Sequence, residues 1–416
     1  MVLIKPGSGE ALGWYNRSEE QLEDADGAGW KRWLRNLQVL DTLTPVVEIQ
    51  ERIEPLVAEW ERLARHTKAS PFLWPGWIGA CWNVFGAGRL QIFAVYENGH
   101  LTGVLPLRRF RGVLSPITIS ETFGFLAANE TAAEQLSYAL FSQKARCVDL
   151  YPLPPTNVGV SPARATAKAA GYRVVAESIQ AAPYVAINET TWNEYEGGLR
   201  RKFRSELRRR RRRLEGEGRL TLEVCDGTER LDELLEEGFR VEGSGWKGVY
   251  GTNINLHPGL RRFYTEVGRW AAQRGWLRLA FLRLDGQALA FDYCLEYNKV
   301  HYLLKTGYDP TYAKFAPGMI LRYLMLSRAF SEGLAIYDFC GPDFAWKREW
   351  TDTLQERLFL RMFAPTALGS LDRAVTTYVS PALKRAKKRA KRSALGGLLK
   401  RGRGLARRRL SGRLGK

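Results

Sequence analysis

The chain is 416 residues long, enough for two or three domains of ordinary size. Its 45% hydrophobic content, with 13 Trp, 17 Tyr and 18 Phe, excludes a disordered or low-complexity polymer. The formal net charge of +19 is unevenly spread: fifteen Lys and Arg and no acid lie between Pro381 and Lys416, which leaves only about +4 on the residues before them. The body is therefore an ordinarily balanced globular protein with a basic tail appended.

Five cysteines, odd in number and without a CxxC pair, and four scattered histidines form neither a disulfide framework nor a zinc-ligand pattern. A reduced, cytoplasmic protein without a metal is expected. The start lacks an apolar stretch of signal-peptide length, and the nearest approach to a membrane span, Ser70 to Gly88, is broken by two prolines, four glycines and Asn83.

Residues 1–44, acidic around Glu19 to Asp26, read as an N-terminal extension. A helical pattern over 46–66 leads into the Trp-rich segment. Two alternating apolar runs then flank Asn98-Gly99, a hairpin signal because both turn residues take φ > 0. A second such hairpin turns at Asp285-Gly286. Gly88 and Gly99 are spaced as Gly275 and Gly286 are, and Leu90, Ile92 and Val95 match Leu277, Leu279 and Leu282 at one constant offset. The spacing predicts a duplicated α+β unit. A βαβ-like stretch over 163–187 places the boundary after it, giving a first domain at 45–190, a second at 191–365 and a basic tail at 366–416.

The second unit opens on a helix over 199–214 with ten Lys and Arg between Arg200 and Arg213, opposed within it by Glu206 alone. Such a run covers every face, so part of it must meet the body. It reads either as a solvated face or as a phosphate-binding surface. Residues 299–309 read as a strand, 319–332 as a largely buried helix and 334–339 as a second strand, ending in Cys340-Gly341-Pro342. Pro317-Gly318 before the helix suits an anion site, with the amides of Gly318, Met319 and Ile320 pointing outward.

A strand ending Lys305-x-x-Tyr308-Asp309 is followed by Tyr312-x(4)-Pro317-Gly318, by Tyr337-Asp338-Phe339 and Gly341, and by Lys347 ahead of an aromatic residue. This ordered set resembles the FemAB-like branch of the GNAT acyltransferases, in particular the BioF2-like and CelD/BcsL acetyltransferases. Ser70-Pro71-Phe72 with Trp77, and Glu242 to Gly248, add to the likeness, which covers about residues 50–365. The resemblance implies an α+β fold of tandem GNAT-like domains, each a mixed, largely antiparallel sheet flanked by helices. It implies acetyl-CoA or another acyl-CoA as co-substrate, and Tyr312, Phe315, Ala316, Pro317, Gly318, Met319 and Ile320 as the donor loop. That loop has one glycine where ordinary GNAT enzymes have two. The same branch holds peptidoglycan transferases that take aminoacyl-tRNA.

Amine acylation needs a proton acceptor and a donor to the developing oxyanion. Glu242 in its Gly-rich segment, Asp338 and Lys347 are the candidate catalytic residues; Trp246, Lys247, Lys305, Tyr308 and Asp309 are the candidate acceptor contacts. The first unit lacks a Pro-Gly before a helix, so a second donor site is not expected. The reading is an N-acyltransferase acting on an amine acceptor, a small molecule or an envelope or exopolysaccharide precursor. Its alternatives are an aminoacyl-tRNA-dependent transferase and a non-catalytic scaffold. The tail, mixing Leu with Arg and Gly, suits an anionic membrane surface at the inner face or nucleic acid.

Overall fold

The structure is a computed structural model that describes residues 45–117, 121–244 and 254–379. In chain order the first part supplies β1 (Val46–Gln50), α1 (Val57–His66), α2 (Pro75–Phe85), β2 (Arg89–Glu97), β3 (His100–Phe110), β4 (Val113–Ser115), β5 (Leu126–Ala127), α3 (Glu130–Ser142), β6 (Cys147–Leu153), α4 (Val160–Ala169) and β7 (Arg173–Ala186). The second supplies α5 (Trp192–Gly198), α6 (Arg201–Glu215), β8 (Leu220–Cys225), α7 (Leu231–Ser244), α8 (Pro258–Ala272), β9 (Leu277–Leu284), β10 (Gln287–Tyr297), β11 (Val300–Tyr308), α9 (Pro317–Ser331), β12 (Ile336–Asp338), β13 (Leu354–Phe363) and α10 (Ala367–Ala374).

The two hairpins form as expected. Asn98 and Gly99 have φ of +53° and +76°, Asp285 and Gly286 +48° and +85°, and each pair joins strands in antiparallel register. The helix expected from residue 46 begins only at Val57. Val46, Val47 and Ile49 are β-branched and pair along β2 instead, and Pro55 opens the short 3-10 turn before the helix.

One mixed 13-stranded sheet runs in the order β1-β2-β3-β4-β6-β13-β7-β12-β11-β10-β9-β8, with β5 on β3. It is antiparallel except at β4–β6 and β11–β12, one parallel junction in each half. Strand β13, from the end of the second part, inserts between β6 and β7, and β7 borders both β13 and β12. The halves thus share a sheet.

They also share a core. Helices α1 and α2 of the first half pack with α7 and α8 of the second in one apolar cluster that includes Trp74, Trp77, Phe239, Phe263 and Tyr293. On the other face of the second half, α9 packs over β9, β10 and β11 through Ile320, Leu321, Met325 and Ala329. Its one fully buried charge, Arg322, reaches Asp292 of β10.

Candidate active site

Strands β11 and β12 run side by side for three residues only, Val300–Tyr302 against Ile336–Asp338. Beyond Tyr302, β11 continues to Tyr308 paired with β10, while the chain leaves β12 in a turn. From Leu303 onward no strand among the described residues pairs with that edge of β11, and a gap opens between the two strands. The register adds a bulge: Tyr293 opposes Lys305 and Cys294 opposes Leu303, leaving Leu304 without a partner in β10. Leu304 packs toward the α8 side, and there the Lys305 ammonium lies 5.3 Å from the Tyr264 ring centroid.

The gap opens on a cavity of about 520 Å³. Among the described residues its walls are β11 from Leu303 to Thr306, Leu260 and Tyr264 of α8, the turn after β12 with Lys347, and Glu121 of the first half. In the turn, Cys340 and Gly341 have φ of +47° and +52°. A left-handed cysteine is strained, and such a conformation persists only where surrounding groups impose it. Three side chains do so. Asp338 accepts the Cys340 amide at 2.7 Å, Glu121 Oε2 accepts the Gly341 amide, and Lys347 Nζ donates to the carbonyls of Cys340 and, at 2.8 Å, Pro342.

The charges perturb one another. Burial pushes the Glu121 carboxyl up, as does the charge of Asp338; the Gly341 amide, Lys347 and Lys305 oppose the shift. Burial likewise pushes Asp338 up against the Cys340 amide and the charges of Arg357 and Lys347. Burial pushes the Lys347 ammonium down. Arg357 of β13 fixes the segment that presents Glu121, donating to the Glu121 carbonyl at 3.5 Å and to the Thr122 hydroxyl at 3.1 Å.

At the far end of β11, helix α9 starts without a side-chain cap. Its N-cap, Ala316, has φ +52°, and Pro317 is its first residue. The amides of Met319 and Ile320 both donate to the Ala316 carbonyl, at 2.9 and 3.2 Å. The expected trio of outward amides is therefore reduced to Gly318, because the tight first turn consumes the other two. The helix in the crossover between β4 and β6 starts differently: the Asn129 side chain closes α3 by accepting the Ala132 amide at 2.7 Å. Beside the start of α9 lies a groove of about 440 Å³, whose charged lining is Arg200, Lys202 and Arg210 together with Glu206 and Glu349, next to Ala316 and Met319. Arg210 pairs there with Glu206 and Arg200 with Glu349, which leaves Lys202 as the groove's cation without an ion pair among the described residues, beside a helix N-terminus that favours an anion.

The opposition to the basic helix is wider than its own sequence suggests. Arg209 and Arg210 pair with Glu206, but Arg208 pairs with Glu196, Arg211 with Glu215 and Arg200 with Glu349. Arg201, Lys202, Arg204, Arg212 and Arg213 have no ion pair among the described residues.

Of the expected donor residues, Ala316 and Met319 line the groove, whereas Phe315 and Ile320, 1% and 0% exposed, belong to the core. Pro317 is buried and Tyr312 half-buried against Phe315. Tyr308 packs over Gly318, its Cδ1 3.5 Å from where a Cβ would stand. The Asp309 carboxylate caps the next turn, accepting from the Thr311 amide and hydroxyl at 2.9 and 2.7 Å. Lys305 and Lys347 line the cavity; Asp338 sits behind the turn and holds it. Glu242 joins neither hollow. Fully buried on α7 with its backbone against Gly307 of β11, it accepts the Ile254 amide at 3.0 Å and braces the strand. Trp246 and Lys247 lie outside the described residues. Glu121 escapes sequence reasoning because it is 220 residues from Gly341, and its only local signal is an acid ahead of the apolar run Phe123 to Leu126.

Residues 201–348 match the family model described as an acetyltransferase (GNAT) domain. Among solved structures, FemX superposes with a TM-score of 0.52 at 16% identity, over 72% of this chain and 95% of that one. The C-terminal domain (DUF2156) of a putative lysylphosphatidylglycerol synthetase from Agrobacterium fabrum gives 0.50 at 13% identity, over 78% and 96%. At such identities the likeness is one of fold. No curated protein matches the sequence.

Proposed function

We propose that this chain, which carries a GNAT acetyltransferase domain over residues 201–348, is an N-acyltransferase that moves an acyl group from acyl-CoA to an amine. The observation that carries the reading is the pairing of two hollows on one strand. The gap between β11 and β12 suits a thioester carbonyl, and the groove at the uncapped start of α9, where Lys202 stands beside the Arg210–Glu206 and Arg200–Glu349 pairs, suits the phosphates of the same donor. In the reaction the nitrogen attacks the thioester carbon, the oxygen takes the charge, and the thiolate leaves.

The test is a thermal shift of the full chain with acetyl-CoA, longer acyl-CoAs and free coenzyme A, at raised salt to suppress non-specific polyanion binding. A native-state ligand at a hundredfold excess over its Kd stabilises by about 2.7 kcal/mol. Gly318→Arg is expected to abolish the shift while the chain still folds, since the nearest atom to the new Cβ is an ordinary contact at 3.5 Å. Retention of the full shift in that variant defeats the donor assignment.

The cations of α6 that have no ion pair among the described residues favour one second reading, an aminoacyl-tRNA donor, to which the resemblance to the FemAB-like branch also points. It predicts transfer that ribonuclease abolishes, with no shift from any thioester.

The acceptor on the proposed reading is an envelope-related amine, and we place the chain at an anionic membrane surface. Leu368, Leu371 and Val375 are exposed on one face of α10 and its continuation, just ahead of the fifteen Lys and Arg of 381–416. Each basic residue near such a surface contributes about 1 kcal/mol. Sedimentation with phosphatidylglycerol vesicles, but not with phosphatidylcholine vesicles, is expected, and is lost on deleting 381–416. Equal binding to both vesicle types refutes it.

A further inference from the structure

Resting on the acyl-transfer reading, we infer that Glu121, contributed by the first half of the chain, is the general base of the reaction, and that the acceptor is a primary amine on an apolar or ring-bearing body. Of the described residues that line the cavity, Glu121 alone carries a carboxylate. The other acids expected to serve do not line the cavity: Asp338 accepts the Cys340 amide and Glu242 the Ile254 amide. The remaining wall is largely apolar, with Leu260, Tyr264, Leu303, Phe339, Phe344 and Trp346. A cavity of about 520 Å³ with such walls takes a body larger than a bare amine.

The carboxylate is positioned at both of its ends. Its backbone is tied to β13 through Arg357, and its Oε2 is tied to the Gly341 amide on the turn that follows β12. A Cβ placed on Gly341 would be 3.8 Å from both Glu121 Oε2 and Lys347 Nζ. The base and the ammonium thus meet at the residue that closes the gap beside β11, the place where a thioester would be attacked. Facing Glu121 are Asp338, which raises its pKa, and Lys347 and Lys305, which lower it, with Arg357, Tyr264 and Cys340 close by. The net direction is upward, led by burial. A carboxylate so shifted takes a proton from an ammonium more readily than an ordinary one.

The protons balance as follows. The acceptor enters as R–NH3+; Glu121 takes one proton, and the neutral amine attacks the thioester carbon. As the C–N bond forms and the C–S bond breaks, a second proton passes from nitrogen to the departing thiolate. The products are the amide and the free thiol, and Glu121 returns its proton to solvent.

The experiment measures thiol release from acetyl-CoA and octanoyl-CoA by the full-length chain over a range of pH, with hexylamine, benzylamine and hydroxylamine as acceptors. Hydroxylamine is already neutral near pH 7 and needs no base to lose an ammonium proton. Rate with the alkylamines is expected to climb with pH through a value above the ordinary carboxylate range, since the base works only when ionised. Glu121→Gln keeps an oxygen for the Gly341 amide; it is expected to lose that acidic limb and about 10²–10³-fold in kcat with alkylamines. With hydroxylamine the loss is far smaller, and the thermal shift by acyl-CoA is unchanged. Glu121→Asp keeps the limb at a reduced rate. A Glu121→Gln chain that keeps both rate and limb, or that falls equally with all three nucleophiles, overturns the assignment while leaving acyl transfer intact. A wild-type chain that neither releases thiol nor shifts with any acyl-CoA overturns the acyl-transfer reading, and the base with it.

Discussion

Replacing Asp292 by alanine is expected to lower the unfolding free energy by about 3–5 kcal/mol, the loss that follows when one partner of a buried ion pair is removed. Asp292 and Arg322 are 0% and 1% exposed. One guanidinium nitrogen reaches Asp292 Oδ1 at 2.8 Å and the Thr306 hydroxyl at 3.1 Å; the other reaches Asp292 Oδ2 and, at 2.7 Å, the Tyr337 hydroxyl. A single side chain of α9 is thereby tied to β10, β11 and β12 at once. Without Asp292 the guanidinium stays buried with only neutral oxygens around it. The Asp292→Leu, Arg322→Leu double variant removes both charges and is expected to recover much of the stability, because the pair's mutual attraction mainly offsets its own desolvation. Urea unfolding of the two variants decides the matter. A single variant within 1 kcal/mol of wild type, or a double variant no better than the single, contradicts the argument. The pair also bears on function, since α9 carries the donor groove at its start and β11 and β12 bound the cavity.

What was legible in the sequence is what local chemistry dictates. Asn98-Gly99 and Asp285-Gly286 announce their hairpins because few other residues accept two successive positive φ values, and the structure has all four. The strand, Pro-Gly, helix and strand order from Lys305 to Lys347 survives because each boundary has its own signal: Pro317 at a helix start, Gly333 at φ +66° just past its end.

What was not legible depends on partners distant in sequence. The apolar alternation of Leu354–Phe363 says strand but not that it inserts between β6 and β7. An aspartate inside Gln287–Tyr297 and an arginine inside the otherwise apolar start of α9 are complementary, yet nothing local says that they meet. Glu121 is the same case at the cavity: its role comes from Gly341, Lys347 and Arg357, all from the other half of the chain. Glu242 sits in a Gly-rich neighbourhood that reads as a binding loop, and the residue itself is buried on α7 with its backbone against Gly307, a contact from β11 that nothing local announces.

Trp77→Ala is expected to cost about 3–5 kcal/mol, the usual loss for truncating a buried tryptophan, and to do so without separating the two halves. Trp77, 1% exposed on α2, meets Phe72 edge-on at 4.8 Å and Phe263 of α8 edge-on at 5.1 Å between ring centroids. The first contact is within the first half, the second crosses to the other. Because both halves bury their apolar faces in this one cluster and share β13 and β7 in one sheet, neither is expected to persist when the other unfolds. Calorimetry of the wild type should therefore give one transition, and the variant one transition at lower temperature. Two transitions, with only one of them moved by the substitution, would show that the halves are independent. A cycle with Phe263→Leu isolates the crossing contact, for which aromatic pairs typically give about 0.5–1.5 kcal/mol of coupling. The same helix α8 presents Leu260 and Tyr264 to the cavity. Weakening this junction should therefore loosen the wall against which the acceptor rests, and Trp77→Ala is expected to raise KM for the amine more than it changes the shift produced by acyl-CoA.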